Sequence, residues 1–410
     1  YQGFAGDTVA SALLANDQRL MGRSFKYHRP RGVLTAGSEE PNALISVYRR
    51  TDVEPNVRAT VQEIYEGLVV RSQNAWPSLG FDALAVNDFA APFLSAGFYY
   101  KTFMWPRAFW EKLYEPVIRR AAGLGGLSGT SNDAEYEKAY AFCDVLIIGA
   151  GPAGLMAALQ AGRAGVDVIL ADEDRQAGGR LLSETYEVDA RAGHEWAAGA
   201  VAELESMDNV RIMSRTTVTG VYDQGTYGAL ERVNGHLPKG SKAPRACFWR
   251  IVAKRSILTA GALERPVAFQ NNDRPGIMTA SAVRAYLNRW GVAPGRDVVV
   301  FGNNDDAHRT AHDLQNAGVH VAALIDSRWD VTPTGDFPIF TGAQVCGSAG
   351  RKGLEAVTVR TQSGTEKIAT DCLAMSGGWN PSVHMTCHMN ERPEWRADIA
   401  SFVPREGIIP

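Results

Sequence analysis

From residue 143 onward, short apolar runs alternate with glycine-rich breaks and amphipathic stretches. Val145–Ile148 is an uninterrupted apolar run, short enough to be a buried parallel strand. It stops at Gly149-Ala150-Gly151-Pro152-Ala153-Gly154, after which Leu155–Ala164 reads as a helix, and a second run, Val166–Ala171, ends at Asp172. Helical spacing predicts a helix over Ala192–Met207, followed by strands at Val210–Met213 and Thr217–Tyr222. Residues 225–260 predict a β-meander of Tyr227–Arg232, a Gly/Pro/Lys-rich hairpin, Cys247–Lys254 and Ser256–Thr259. Asp297–Arg328 repeats the strand–helix–strand plan with Val298–Phe301, Thr310–Ala317 and His320–Ile325, ending at Asp326. Further strands are expected over 330–375, and Ser376-Gly377-Gly378-Trp379-Asn380-Pro381 reads as the crossing back to the first unit.

The first 75 residues follow a different pattern. Gly6-Asp7-Thr8 before Val9–Ala15 predicts a helix capped by Asp7 or Thr8, and Leu44–Tyr48 and Val69-Val70 are strand candidates. Between them, Arg23–Gly32 interleaves basic residues and His28 with Phe25 and Tyr27, which suits either a solvated loop or a contact surface. Residues 76–142 carry Trp76, Phe81, Phe89, Phe93, Phe98, Tyr99, Tyr100, Phe103, Trp105, Phe109, Trp110 and Tyr114, broken by four prolines. Such a segment is expected to bury its rings against the domains it joins or against another chain. Gly123–Gly129 reads as a flexible linker. The expected division is therefore 1–75, a connecting segment 76–142, a first nucleotide domain of 143–275 with 376–410, and a second unit of 276–375.

The glycine loop carries the candidate chemistry. Gly149 permits a tight turn, Gly151 lets a pyrophosphate approach the backbone, and Gly154 lets helix and strand pack closely, while the helix N-terminus favours the anion. Asp172 follows Gly149 by 172 − 149 = 23 residues, the distance at which an acid meets a dinucleotide ribose, and Glu173 and Asp174 add charge against a 2′-phosphate. Gly178-Gly179-Arg180 makes a second turn, and Val218, Ala260 and Gly261 complete the candidate cofactor-binding set. In the repeat, Gly302-Asn303-Asn304-Asp305-Asp306-Ala307 keeps one glycine, and Asp305 and Asp306 repel a diphosphate there. No dinucleotide is expected in this second unit.

Composition narrows the classes. The 45% apolar content and 41 glycines over 410 residues suit two or three α/β domains. A net charge of −3 gives no electrostatic reason for a nucleic-acid or membrane partner. Cys143, Cys247, Cys346, Cys372 and Cys387 are scattered without C-x-x-C or metal spacing, as in buried thiols of a reducing compartment. The chain opens on Tyr1-Gln2-Gly3 with no signal-peptide pattern, so a cytoplasmic location is expected. No nucleophile, general base or metal site stands out; His308 and His312 share a helical face, but no third ligand is suggested.

The two-unit layout with Ala260-Gly261-Ala262-Leu263-Glu264-Arg265-Pro266 between them resembles the disulfide-reductase type of flavoprotein. That implies two Rossmann-like dinucleotide-binding domains, here preceded by a β-grasp ferredoxin-like domain fitted by Gly6-Asp7-Thr8 and Ser38–Val47. A ferredoxin cluster needs four cysteine thiolates, and none precedes Cys143, so this domain is expected to pack rather than to carry electrons. More specifically, Ser24–Gly32, Phe103-Met104-Trp105-Pro106, Tyr114-Glu115-Pro116, Asn303-Asn304-Asp305 and Arg309–Leu314 look like the alpha subunits of heterotetrameric sarcosine oxidases.

The resemblance extends over nearly all of this chain and covers the family's N-terminal part, leaving out its folate domain. It implies NAD in the first nucleotide domain, a covalent FMN at the interface with a beta subunit, FAD on that beta subunit, and smaller gamma and delta subunits. Sarcosine would then be oxidised to glycine by oxygen, with peroxide formed on the partner's flavins. Asn303–Thr310 is a candidate neighbour of the interfacial FMN, with ordinary helix capping as the alternative. Other readings are a dehydrogenase subunit for another secondary amine (N-methylglutamate, dimethylglycine, proline or an opine) and a stand-alone NAD(P)H-dependent flavin oxidoreductase. The degenerate second loop argues against the last of these.

Overall fold

The computed structural model describes residues 1–49, 52–92, 97, 105–122, 128–238, 242–332 and 334–405, and groups the chain into two units. One comprises 1–133, 266–283 and 292–376; the other comprises 134–265, 284–291 and 377–410. Phe93, Phe98, Tyr99, Tyr100, Phe103, Met104 and most of the Gly123–Gly129 stretch lie outside the described residues.

The unit holding the glycine motif is built on a six-stranded sheet. Val210–Met213, Val168–Ala171, Tyr136–Ile148 and Ala246–Leu258 run parallel in that order, and Thr226–Arg232 and Thr216–Tyr222 continue it antiparallel. Two helices, Pro152–Arg163 and Gly193–Glu205, cover one face through Leu155, Leu159, Ala197 and Leu204 on Ile147, Val168 and Leu170. A second cluster joins Ile148, Ile169 and Met213 to Val221, Tyr227 and Ile251 of the meander.

Two elements differ from the pattern. Tyr136–Phe142, expected as connecting chain, forms the first half of a 13-residue strand. Cys247–Lys254 and Ser256–Thr259, expected as two strands, are one, because the strand runs on through the solvent-facing Lys254 and Arg255 with its register to Tyr136–Ile148 unchanged. The helix also begins three residues early, at Pro152, a residue tolerated at the first helical position.

In the other unit a parallel sheet runs in the order Ile277–Thr279, Cys372–Ser376, Asp297–Gly302, His320–Asp326, Ile339–Thr341. An antiparallel ribbon of Gln344–Ala349, Ala356–Arg360 and Thr365–Ala369 packs Val345, Val357 and Val359 against Val299, Phe301 and Ile325. The N-terminal residues of the same unit form helix Val9–Ala15 and a three-stranded antiparallel sheet with Leu44–Tyr48 between Val53–Arg58 and Val69–Ser72. Thr8 and Ser11 make the expected helix cap as a reciprocal capping box. Val53–Arg58 escapes sequence reading because Glu54, Pro55 and Asn56 carry no strand pattern.

Of the two expectations for the basic run, the contact surface fits and the solvated loop does not. His28 Nδ1 lies 2.7 Å from Asp82 Oδ2 with both side chains fully buried, Arg29 binds Asp88 at 2.7 Å, and Arg31 binds Asp273 at 2.5 Å. Arg19 reaches Asp371 at 3.0 Å, and the Thr279 amide donates to the Leu34 carbonyl at 2.8 Å. These bonds tie the N-terminal domain to the second nucleotide-like domain. In the aromatic segment Trp76, Phe81, Phe89 and Trp105 are exposed in this chain. Among the described residues no helix is long and apolar enough to cross a membrane.

Candidate functional site

Adjacent parallel strands deliver two turns side by side. Tyr136–Ile148 leads into Gly149 and Ala246–Leu258 leads into Thr259, and the Thr259 amide donates to the Ile148 carbonyl at 2.8 Å. The Thr259 hydroxyl donates to Ile148 at 2.9 Å and to Gly149 at 2.7 Å. Gly149 has φ +104°, and a Cβ there would stand 2.5 Å from the Thr259 carbonyl oxygen, so glycine is required twice over. A Cβ on Gly154 would collide with the Gly149 carbonyl. Gly151, by contrast, faces open space, and no side chain among the described residues caps the helix that begins at Pro152. Pro152 and Ala153 are exposed at this start. An open glycine beside uncapped first-turn N–H groups is a cradle for a diphosphate.

The second glycine turn closes one side. Gly178 donates to the Ala150 carbonyl at 2.8 Å, and Gly179, at φ +54°, lies against Gly151. Arg180 leaves this turn and stacks on Trp379 with its guanidinium carbon 3.9 Å from the ring centroid. It also pairs with the buried Glu184, whose other cation is Arg284 at 3.7 Å. Burial, with help from Glu184, pushes the Tyr186 phenol up to about 12.

Asp172 sits at the end of its strand. Its Oδ2 accepts from the Ala150 amide at 2.5 Å and its Oδ1 from the Asp174 amide at 2.7 Å, so the acid braces the glycine loop. Burial pushes its pKa up to about 6, and the charges of Asp174 and Glu173 act in the same direction against the two N–H bonds. Glu173 is exposed. Asp174 is held by Arg289 through a two-pronged ion pair of 2.7 and 2.9 Å. Burial raises the Asp174 pKa, but the Arg289 fork together with the Gln176 and Arg175 amides more than offsets it and leaves the carboxyl below its usual range. The Val218 side chain packs in the core cluster of the meander. Gly261 has φ +67° and faces open space next to Ala260, and its carbonyl accepts from Ser382 at 2.9 Å. Sequence reading missed Thr259, Arg289 and Trp379; the last follows the Gly377-Gly378 pair that marks the crossing back.

The degenerate repeat is internally filled. Asn304 caps helix Asp305–Asn316, accepting from Asp306 at 3.0 Å and donating to Ser376 Oγ at 3.1 Å. Asp326, at the position matching Asp172, is fully buried and bound by His308 at 2.7 Å and Arg328 at 2.8 Å, and Arg328 continues to Asp305 at 2.9 Å. His312 bonds Thr334 at 3.1 Å instead, so the two histidines serve different partners. Among the described residues no group of three His, Cys, Asp or Glu could hold a metal ion.

Comparison with known proteins agrees with this anatomy. Residues 1–75 match a family described as a 2Fe-2S iron-sulfur cluster binding domain, and residues 144–273 match the FAD dependent oxidoreductase family. The crystal structure of L-proline dehydrogenase from P. horikoshii shares the fold at TM-score 0.66 and 20% identity, covering 98% of this chain and 63% of that one. The fold is thus a ferredoxin-like domain without cysteines followed by two Rossmann-like domains. The sarcosine oxidase alpha subunit of Rhizobium meliloti (strain 1021) is 54% identical over 98% of this chain, and that of Corynebacterium sp. (strain P-1) is 36% identical over 99%. An opine oxidase subunit from Agrobacterium tumefaciens (strain Ach5) is 33% identical over 45% of the chain. The chain spans 41%, 39% and 37% of the lengths of these three relatives. The chain is thus similar in sequence to sarcosine oxidase alpha subunits along nearly all of its own length and about two fifths of theirs.

Proposed function

We propose that this chain is the NAD-binding portion of the alpha subunit of a heteromeric, flavin-dependent sarcosine oxidase. The observation that carries the reading is the cradle of Gly149, Gly151, Gly179 and Asp172 in a chain 54% identical to a sarcosine oxidase alpha subunit. Open backbone at Gly151 and a helix start without a side-chain cap suit a diphosphate, and Asp172, at the end of the neighbouring strand, is the acid that would meet the ribose. The filled second repeat supports a single dinucleotide per chain. When bound, NAD would be held by these residues, while a partner beta subunit with FAD, and an FMN at its interface with this chain, would carry the oxidation of sarcosine to glycine and peroxide. Small gamma and delta subunits complete the proposed assembly.

The test is to denature the purified complex and identify the released small molecules by mass spectrometry. NAD stoichiometric with this chain supports the reading. No NAD, and two FAD for each pair of this chain and a beta subunit, would reassign the cradle to the flavin nucleotide.

A second reading follows from the opine oxidase relative: the same subunit serving another secondary amine. Turnover by the complex with sarcosine, N-methylglutamate, dimethylglycine, proline and an opine, compared at equal concentration, separates the two.

A further inference from the structure

The N-terminal domain matches a cluster-binding family, yet none of its residues can ligate a cluster through sulfur. In plant-type ferredoxins three of the four ligands follow the spacing C-x4-C-x2-C. Thr35, Glu40 and Ala43 stand at this same i, i+5, i+8 spacing. The three positions are brought together in the structure by a different agent. Glu40 is buried at 1% exposure, while its neighbour Glu39 is exposed. Its Oε2 accepts from the amides of Leu34 and Thr35, each at 2.8 Å, and from the Thr35 hydroxyl at 3.3 Å. Its Oε1 accepts from the amides of Asn42 at 2.7 Å and Ala43 at 3.0 Å. Four backbone N–H groups and a hydroxyl thus converge on one carboxylate, the acceptor-only partner such a ring of donors needs.

We infer that residues 34–43 form an anion cradle of the kind that wraps an iron–sulfur cluster, and that the Glu40 carboxylate is its permanent internal occupant. The carboxylate supplies the negative charge that orders the loop, and leaves no room for iron. Arg58 Nε and Thr60 Oγ1 pin the loop from outside through the carbonyls of Glu40 (3.2 Å) and Gly37 (2.6 Å). The domain then acts as a rigid docking piece that presents Arg19 and Arg31 to Asp371 and Asp273. It is no electron carrier.

The test uses the complex as purified, with Glu40→Gln, Glu40→Ala and, as control, Glu39→Gln. Glu40→Gln should lower the midpoint of thermal unfolding by roughly 5–10 °C and open residues 1–75 to limited proteolysis, with Glu39→Gln unchanged. Formate should restore protection to Glu40→Ala and leave the wild type unaffected, whereas chloride at equal ionic strength should not. If Glu40→Ala fails to fold, its refolding yield in formate against chloride gives the same comparison. Wild-type stability and protection in Glu40→Gln, or no preference for formate, would overturn the inference. So would two iron atoms per chain with cluster absorption in the wild type.

Discussion

Nε2 of His308 stands 2.7 Å from Oδ2 of Asp326, a carboxylate with no exposed side-chain surface. Together with Arg328 this pair ties up the acid whose counterpart in the other Rossmann-like domain, Asp172, braces the glycine loop. Burial alone would raise the pKa of Asp326; Arg328, through side chain and amide, and His308 bring it below the usual range.

A depressed folded pKa makes Asp326 stabilising above its unfolded value, near 4, with the contribution lost as pH falls through the folded value. Acid unfolding followed by circular dichroism should therefore begin later in the wild type than in Asp326→Asn. At neutral pH this substitution should cost about 3–5 kcal/mol in urea unfolding, because Arg328 and His308 lose their buried partner. Dinucleotide affinity should be unchanged.

Asp172 behaves in the opposite sense. Its folded pKa of about 6 lies above the unfolded value, so its contribution to stability is complete below pH 4 and is lost as pH rises through about 6. On the proposed function the ionised form is the one that would accept ribose hydroxyls, so NAD affinity measured by calorimetry should rise between pH 5 and 7. Asp172→Ala should lower that affinity roughly 10–100-fold and flatten the pH dependence. An unchanged profile would show that another group titrates. NADP should bind more weakly than NAD, although Arg289 removes much of the charge of Asp174.

The thiols should react unequally. Burial pushes the Cys143 thiol up to about 11 and the Cys372 thiol up to about 12, and raises that of Cys247. Cys387 is exposed. Iodoacetamide at pH 8, followed by peptide mass mapping, should label Cys387 first and leave Cys143 and Cys372 unmodified until the chain unfolds.

On the proposed function, the chain without a beta subunit should form no peroxide from sarcosine, whatever flavin is added. Exposed Trp76, Phe81, Phe89 and Trp105 should make it poorly soluble until a partner is co-expressed. Sustained turnover by the isolated chain would place the chemistry on this subunit.

What could be read from sequence was local. The run Val145–Ile148, the glycines and Asp172 lie within 28 residues, where period and punctuation suffice. Arg289 reaches Asp174 across 115 residues, and Trp379 meets Arg180 only after the chain has completed the second sheet, so no spacing announces either. Tyr136–Phe142 does alternate, with Tyr140 and Phe142 exposed and Ala141 and Cys143 buried, but a Gly/Ser-rich stretch before it hid the strand. Glu40 was illegible for another reason. Beside Glu39 it looks like half of a solvated acidic pair, and its fate is decided by backbone amides that carry no sequence signal.

The constant register between Tyr136–Ile148 and Ala246–Leu258 also fixes which length changes the molecule tolerates. Both strands run the same way and end together, so Gly149 and Thr259 keep their distance however the far ends vary. Residues added to the hairpin between Arg232 and Ala246 lengthen a loop and leave the cradle as it is. One residue added between Ala253 and Leu258 slides Thr259 past Gly149, removes both hydroxyl bonds, and turns the rest of the strand's side chains to the opposite face. Insertions are thus harmless at one end of this strand pair and disruptive to the glycine turn at the other.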